Sequence, residues 1–256
     1  MANLDPAIMS KVAQNDPGNR YAIVYAWGTY GIGYDRQRVS EALAGNTPTT
    51  WQSVFDPTQV AKLAACGVNI VDEPSGIVRV VLKFLGRNPN VLTPETLAAA
   101  EATLLKIRPS VKTIDSANYI QALANGDICI TVGYNGDVVQ AHNRAKEAHN
   151  GIDIGYAVPT EGSELWLDMV AIPKDAPHPA NAHRFLNYLM VPQTIADITN
   201  AVGFANANRA ATPPGPSFDH RRYENLPASG TTIPTLRAVG GFAGNRQGNH
   251  PPVAEV

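Results

Sequence analysis

Tyr21-Ala-Ile-Val-Tyr-Ala-Trp27, continued by Gly28-Thr-Tyr-Gly-Ile-Gly33 and Tyr34-Asp35, is the stretch that decides the fold. Its first part is an apolar run rich in strand-forming residues, and the glycines behind it read as a flexible segment through which a strand leads into a crossover. Gly28, Gly31 and Gly33 do not follow the GxGxxG order, and no clear helix begins directly after them, so a phosphate loop has little support.

From Asp35 onward, helical and strand patterns alternate. Residues 37–44 and 57–65 read as helices, 68–72 as a strand and 75–85 as a helix closed by Gly86. A helix over 94–107 closes before Pro109. Another, over 116–124, stops at Asn125-Gly126 and leads into a strand at 127–132. Strands at 152–159 and 166–172 follow, with helices at 137–149, 180–190 and 193–201. A helix over 6–14 precedes the opening strand. This punctuation is that of an α/β protein. Beyond Thr212 the chain is rich in Gly, Pro, Asn and Arg without a sustained apolar period, and disorder is expected there because little surface can be buried.

Length and charge narrow the function. At 256 residues the chain can build one large domain or two lobes, and 20 Lys and Arg against 22 Asp and Glu leave almost no net charge. No basic cluster with interleaved aromatics argues for nucleic acid. No run approaches the roughly 20 apolar residues of a membrane span, and the opening Met-Ala-Asn-Leu-Asp-Pro is not a signal peptide.

Two short stretches carry candidate chemistry. Tyr134-Asn-Gly-Asp137 and Trp166-Leu-Asp168 each set an aromatic ring beside a carboxylate, a pairing that suits an organic cation: the acid supplies charge, and the ring supplies cation–π attraction and apolar cover. Two such pairs suit a molecule with an ammonium at each end. For Asp137 the competing role is structural, since it stands where a helix begins and an acid there caps the first turn. Cys66 and Cys129 each flank a β-rich run. They fit either a contact between neighbouring strand ends or two buried thiols, and without a CxxC or a spaced His pair they make no zinc set. The six histidines are scattered, and none pairs with a nucleophile. An enzyme would have to be a carboxylate-based hydrolase using Asp137 and Asp168, with the two acids held at different pKa values.

Several ordered motifs go further. Trp27-Gly-Thr-Tyr-Gly-Ile-Gly-Tyr34, Cys66-Gly-Val68, Phe84-Leu-Gly86, Tyr119 through Cys129, Asn143 through Ala148, and Phe204-Ala-Asn-Ala-Asn-Arg-Ala-Ala-Thr-Pro213 resemble the periplasmic putrescine/spermidine-binding receptors of ABC importers. The resemblance spans roughly Leu4 to Pro213. It implies a periplasmic binding protein-like fold of type II, α/β in both lobes, with a polyamine held in a cleft between them. By that template residues 1–24 are a remnant of the first lobe, 25–166 a nearly complete second lobe, 167–212 a returning piece of the first, and 213–256 a non-native or disordered tail.

The resemblance also assigns residues. It makes Tyr134, Asp137, Trp166, Asp168 and Phe204 ligand-binding, with Tyr134 where the family has Trp and Phe204 where it has Tyr. It joins Cys66 and Cys129 in a disulfide. A further family acid falls on Gly76, in Asp72-Glu-Pro-Ser-Gly76, and is therefore missing, with Glu73 as a neighbouring acid that is not assigned to the site. Trp166 resembles the spermidine-preferring members and the Phe204 loop the putrescine-preferring ones. The implied partners are a polyamine and a membrane permease, for a periplasmic monomer without a cofactor, metal or catalytic residue. Because the template's signal peptide and much of its first lobe have no counterpart here, a truncated or frame-disrupted product is an alternative. The isolated chain is then expected to bind putrescine weakly or not at all.

Overall fold

The computed structural model describes residues 3–211. The expectation of disorder for 213–256 lies outside the described residues. The described chain divides into two units, one made of 3–28 and 165–211 and the other of 29–164. It passes between them at Gly28/Thr29 and at Glu164/Leu165, whereas the sequence suggested crossings after residues 24 and 166. Trp166 accordingly belongs with the smaller unit.

The elements run α1 (Pro6–Val12), β1 (Ala22–Asp35), α2 (Arg36–Ala42), α3 (Gln52–Phe55), α4 (Pro57–Leu63), β2 (Val68–Ile70), α5 (Pro74–Phe84) and α6 (Pro94–Ile107). Then come β3 (Thr113–Ile114), α7 (Tyr119–Asn125), β4 (Ile130–Tyr134), α8 (Asn135–Glu147), β5 (Ile154–Ala157), β6 (Leu165–Ala171), α9 (Pro179–Leu189) and α10 (Pro192–Val202). The sheet order is β3-β2-β4-β1-β5, and β6 also pairs with β1. β2 lies parallel to β3 and β4, while β1 is antiparallel to β4 and β5, with Ile32 opposite both Val132 and Ala157. The architecture is α/β with a mixed sheet.

One correction concerns the opening stretch. Its glycines are not a flexible link, because β1 continues as strand through all of them to Asp35. They are glycines for reasons of space. A Cβ at Gly31 would collide with the ring of Tyr156, and one at Gly33 would come within 2.5 Å of Val138 Cγ2. Removing the side chain lets a neighbouring ring and helix approach the strand backbone, a use of glycine that sequence pattern alone reads as looseness. Asp35 then ends the strand and caps α2, accepting from the Gln37 and Arg38 amides at 3.1 Å each.

The larger unit packs its helices on a sheet whose central residues Ile32, Val68, Ile130 and Val132 are all buried. Trp51, fully buried, donates from Nε1 to Gly162 O at 2.8 Å and stacks in a chain of rings with Phe55 and Phe84. The smaller unit has a core of its own, built on Leu4, Val12, Ile23, Val24, Leu167, Ile172, Leu186 and Ala207. Residues distant in sequence meet there, so 3–28 and 165–211 stand or fall together.

Cys66 and Cys129 are joined by a disulfide, with Cα atoms 5.4 Å apart. Both sit at the bottom of the sheet, where Cys129 N–H donates to Gly67 O at 2.9 Å and the Arg38 guanidinium donates to Cys66 O at 3.1 Å and to Gly126 O at 2.5 Å. The bond closes a loop with a sequence separation of 63. On the loop-entropy account such a closure contributes about 4 kcal/mol. Urea unfolding followed with and without a reductant should show a loss of that order, with the Cys66→Ala/Cys129→Ala variant indifferent to the reductant.

Candidate functional site

Tyr134 is the last residue of β4, and the chain turns directly from it into α8. The helix begins at Asn135, two residues earlier than the sequence suggested, because the buried Asn135 side chain accepts the Thr29 amide at 3.0 Å and so makes this Asn-Gly pair part of a helix rather than a turn. Asp137 therefore lies inside the first turn. It does not cap the helix, which has no side-chain cap bond. Its Oδ2 accepts from the Tyr119 hydroxyl at 2.6 Å, and Gln140 Nε2 donates to Oδ1 at 3.5 Å. The same Tyr119 oxygen accepts the Tyr134 amide at 3.2 Å. One buried phenol thus orients both members of the aromatic–carboxylate pair.

The electrostatics of Asp137 follow from that setting. Desolvation raises its carboxyl above the ordinary value, opposed by the Tyr119 hydrogen bond and by the charge of Arg144. Among the described residues no Lys, Arg or His nitrogen forms an ion pair with it. A half-buried carboxylate supplied with neutral donors and no ion-paired cation carries a desolvation cost that no ion pair offsets.

In the smaller unit, Trp166 and Asp168 flank the buried Leu167 on β6, so strand alternation sets them on the face opposite the core. The Phe204 ring meets Trp166 edge-on, with centroids 5.0 Å apart and planes at 79°. Phe204 is held by the loop that follows it. Trp27 N–H donates to Ala205 O at 2.9 Å, and Trp27 Nε1 donates to Asn206 O at 3.0 Å. Asn206 and Asn208 tie the loop down, donating to Thr199 Oγ1 at 2.9 Å and to Met190 O at 2.6 Å. The alternating Ala-Asn pattern is thereby explained: the alanines are buried and the asparagines satisfy backbone and neighbours. Asp168 is exposed as a residue, yet local desolvation raises its carboxyl.

Two groups at the larger unit's wall went unread in the sequence. Tyr30, which β1 places beside Tyr134, has its ring centroid 4.9 Å from that of Tyr134 and its hydroxyl 3.2 Å away, and the hydroxyl donates to Glu73 Oε2 at 2.9 Å. Glu164, at the return crossing, pairs with Arg79 at 3.6 Å. Nothing local marked either one, since the partners are 43 to 104 residues away in the sequence. Among the described residues, no group of three or more His, Cys, Asp and Glu could hold a metal ion, and no helix is long and apolar enough to cross a membrane.

Comparison with known proteins follows the same lines. The chain belongs to the family of bacterial extracellular solute-binding proteins, whose model matches residues 2–227. It is 46% identical over 212 residues to the putrescine-binding periplasmic protein SpuD of Pseudomonas aeruginosa, and 43% identical over 213 residues to the putrescine-binding periplasmic protein PotF of Escherichia coli. In both cases 82% of this chain and 58% of the relative are covered, so the chain spans less than two thirds of these relatives. A solved structure, a putative spermidine/putrescine ABC transporter from Listeria monocytogenes, superposes with a TM-score of 0.72 at 29% identity, covering 88% of this chain and 65% of that one.

Glu164 offers a physical check on the crossing. Burial pushes its carboxyl up to about 7 from 4.5, against the pull of Arg79 and Lys83 and with help from Glu73. The folded state keeps this proton between pH 4.5 and 7 while the unfolded chain loses it, so stability falls as pH rises through that window and is level above it. The loss is about 3 kcal/mol. Denaturant titrations at several pH values should show this slope, and Glu164→Gln should flatten it.

Proposed function

We propose that the chain is the polyamine-binding part of a substrate receptor for an ABC importer, acting in the periplasm with a membrane permease as its partner. The observation that carries the reading is Asp137: a carboxylate raised by desolvation, fixed by a phenol donor, beside an aromatic residue and without an ion-paired cation among the described residues. An alkyl ammonium supplies what that arrangement lacks. Tyr134 gives it a ring face, and Trp166, Asp168 and Phe204 offer the same combination on the smaller unit. The relatives named for putrescine support this ligand class, and the disulfide supports an oxidising compartment.

Binding is favoured over catalysis by the acids themselves. A carboxylate-based hydrolase divides its labour between an acid kept protonated and one kept ionised. Asp137 and Asp168 are shifted in the same direction and for the same leading cause, desolvation. Each of them is suited to holding a positive charge.

A titration of the full chain with 1,4-diaminobutane, followed by NMR shifts that register affinities down to the millimolar range, should show saturable binding. Asp137→Asn should weaken it about tenfold or more, the scale of one charge-assisted hydrogen bond. The unaltered diamine should be recovered after incubation. No saturation, or turnover of the ligand, would count against the receptor reading.

A further inference from the structure

The sequence resemblance gives Glu73 no ligand role, whereas the geometry around Gly76 points to one. We propose that Glu73 is a specificity-determining carboxylate that takes one ammonium of a diamine, with Tyr30 as the positioning residue that aims it. The proposal rests on the polyamine reading above and adds to it the group that replaces the missing acid.

Position 76 has no room for an acid in this chain. A Cβ there would come within 2.5 to 2.6 Å of the Tyr30 ring and hydroxyl, so the volume beside Gly76 is already occupied by the phenol. The carboxylate instead arrives from one helical turn earlier. Glu73 precedes α5, and its Oε2 accepts both the Gly76 amide at 2.5 Å and the Tyr30 hydroxyl at 2.9 Å. Gly76 and Tyr30 together hold the charge that a side chain at 76 could not carry.

This places Glu73 on the same wall as the Tyr134 and Asp137 pair. The Tyr30 hydroxyl bridges from Glu73 to the Tyr134 hydroxyl, while the Tyr134 amide reaches Tyr119, whose hydroxyl donates to Asp137. Two carboxylates of one unit are therefore tied to Tyr134 from its two ends, each by a phenol. Among the described residues no cation pairs with Glu73, and Arg79 is engaged with Glu164. The carboxylate is not sealed, because Glu73 is only half-buried.

Glu73 also caps α5, and the test has to separate the two roles. Glu73→Gln keeps an oxygen for the Gly76 amide and the Tyr30 hydroxyl but removes the charge. Wild-type chain, Glu73→Gln and Tyr30→Phe should each be titrated with 1,4-diaminobutane and with 1-aminobutane, alongside a thermal melt. The wild type should prefer the diamine about tenfold or more, and Glu73→Gln should reduce that preference to about threefold or less with a melting temperature close to the wild type's. Tyr30→Phe, which keeps the ring and frees the carboxylate, should lose part of the preference without losing monoamine binding. A Glu73→Gln variant that keeps the full diamine preference overturns this proposal while leaving the polyamine reading intact. Should Glu73→Gln fail to fold, an unchanged preference in Tyr30→Phe overturns it instead. A wild type that binds neither amine overturns both readings.

Discussion

The close approach of other side chains to the backbone of β1 is the constraint on which the larger unit depends. Its sheet is antiparallel around β1, and at Gly31 and Gly33 the Tyr156 ring and Val138 lie where side chains would stand. That approach lets the Tyr156 hydroxyl donate to Thr29 O at 2.9 Å, and lets α8 lie close enough for Asn135 to accept the Thr29 amide. The start of α8 sets the position of Asp137. A side chain at either glycine would separate the layers, and its first effect would fall on the carboxylate rather than on the core.

The same strand shows how a sequence can be read correctly in kind and wrongly in detail. The α/β alternation was legible because helix stops have local causes, as with Pro109 and Gly126, the latter in the left-handed region at φ 79°. The long helices over 94–107 and 75–85 were found to within a residue of α6 and α5. What was misread is non-local. Glycines required by a ring 125 residues away look the same as glycines in a loose link, and nothing local shows that the Asn135-Gly136 pair, held by Thr29, already belongs to α8. The short β3 and α3 carry no period long enough to read.

The candidate residues divide in the same way. Trp166 and Asp168 share a strand face by simple alternation, a local rule. The role of Tyr119, 18 residues from Asp137, depends on α7 and α8 lying side by side. Asp137 could be weighed in the sequence only as cap or ligand, and local pattern favoured the cap. The structure removes that option by starting α8 at Asn135 and by turning the Asp137 side chain to a phenol.

The use of phenols beside these carboxylates has a physical logic. A carboxylate drawn out of water needs hydrogen-bond donors, and a Lys or Arg would satisfy it so well that an incoming ammonium would have to displace a paired cation. A phenol stabilises the acid with a single neutral donor, leaves its charge unneutralised, and does not compete as a cation. Tyr119 does this for Asp137 and Tyr30 does it for Glu73, and burial holds both phenols far above their ordinary pKa, so each remains a donor. The cost of a carboxylate without an ion-paired cation is then carried in the free protein. Gly76 fits that logic, because the phenol that fills the space beside it also positions the Glu73 carboxylate.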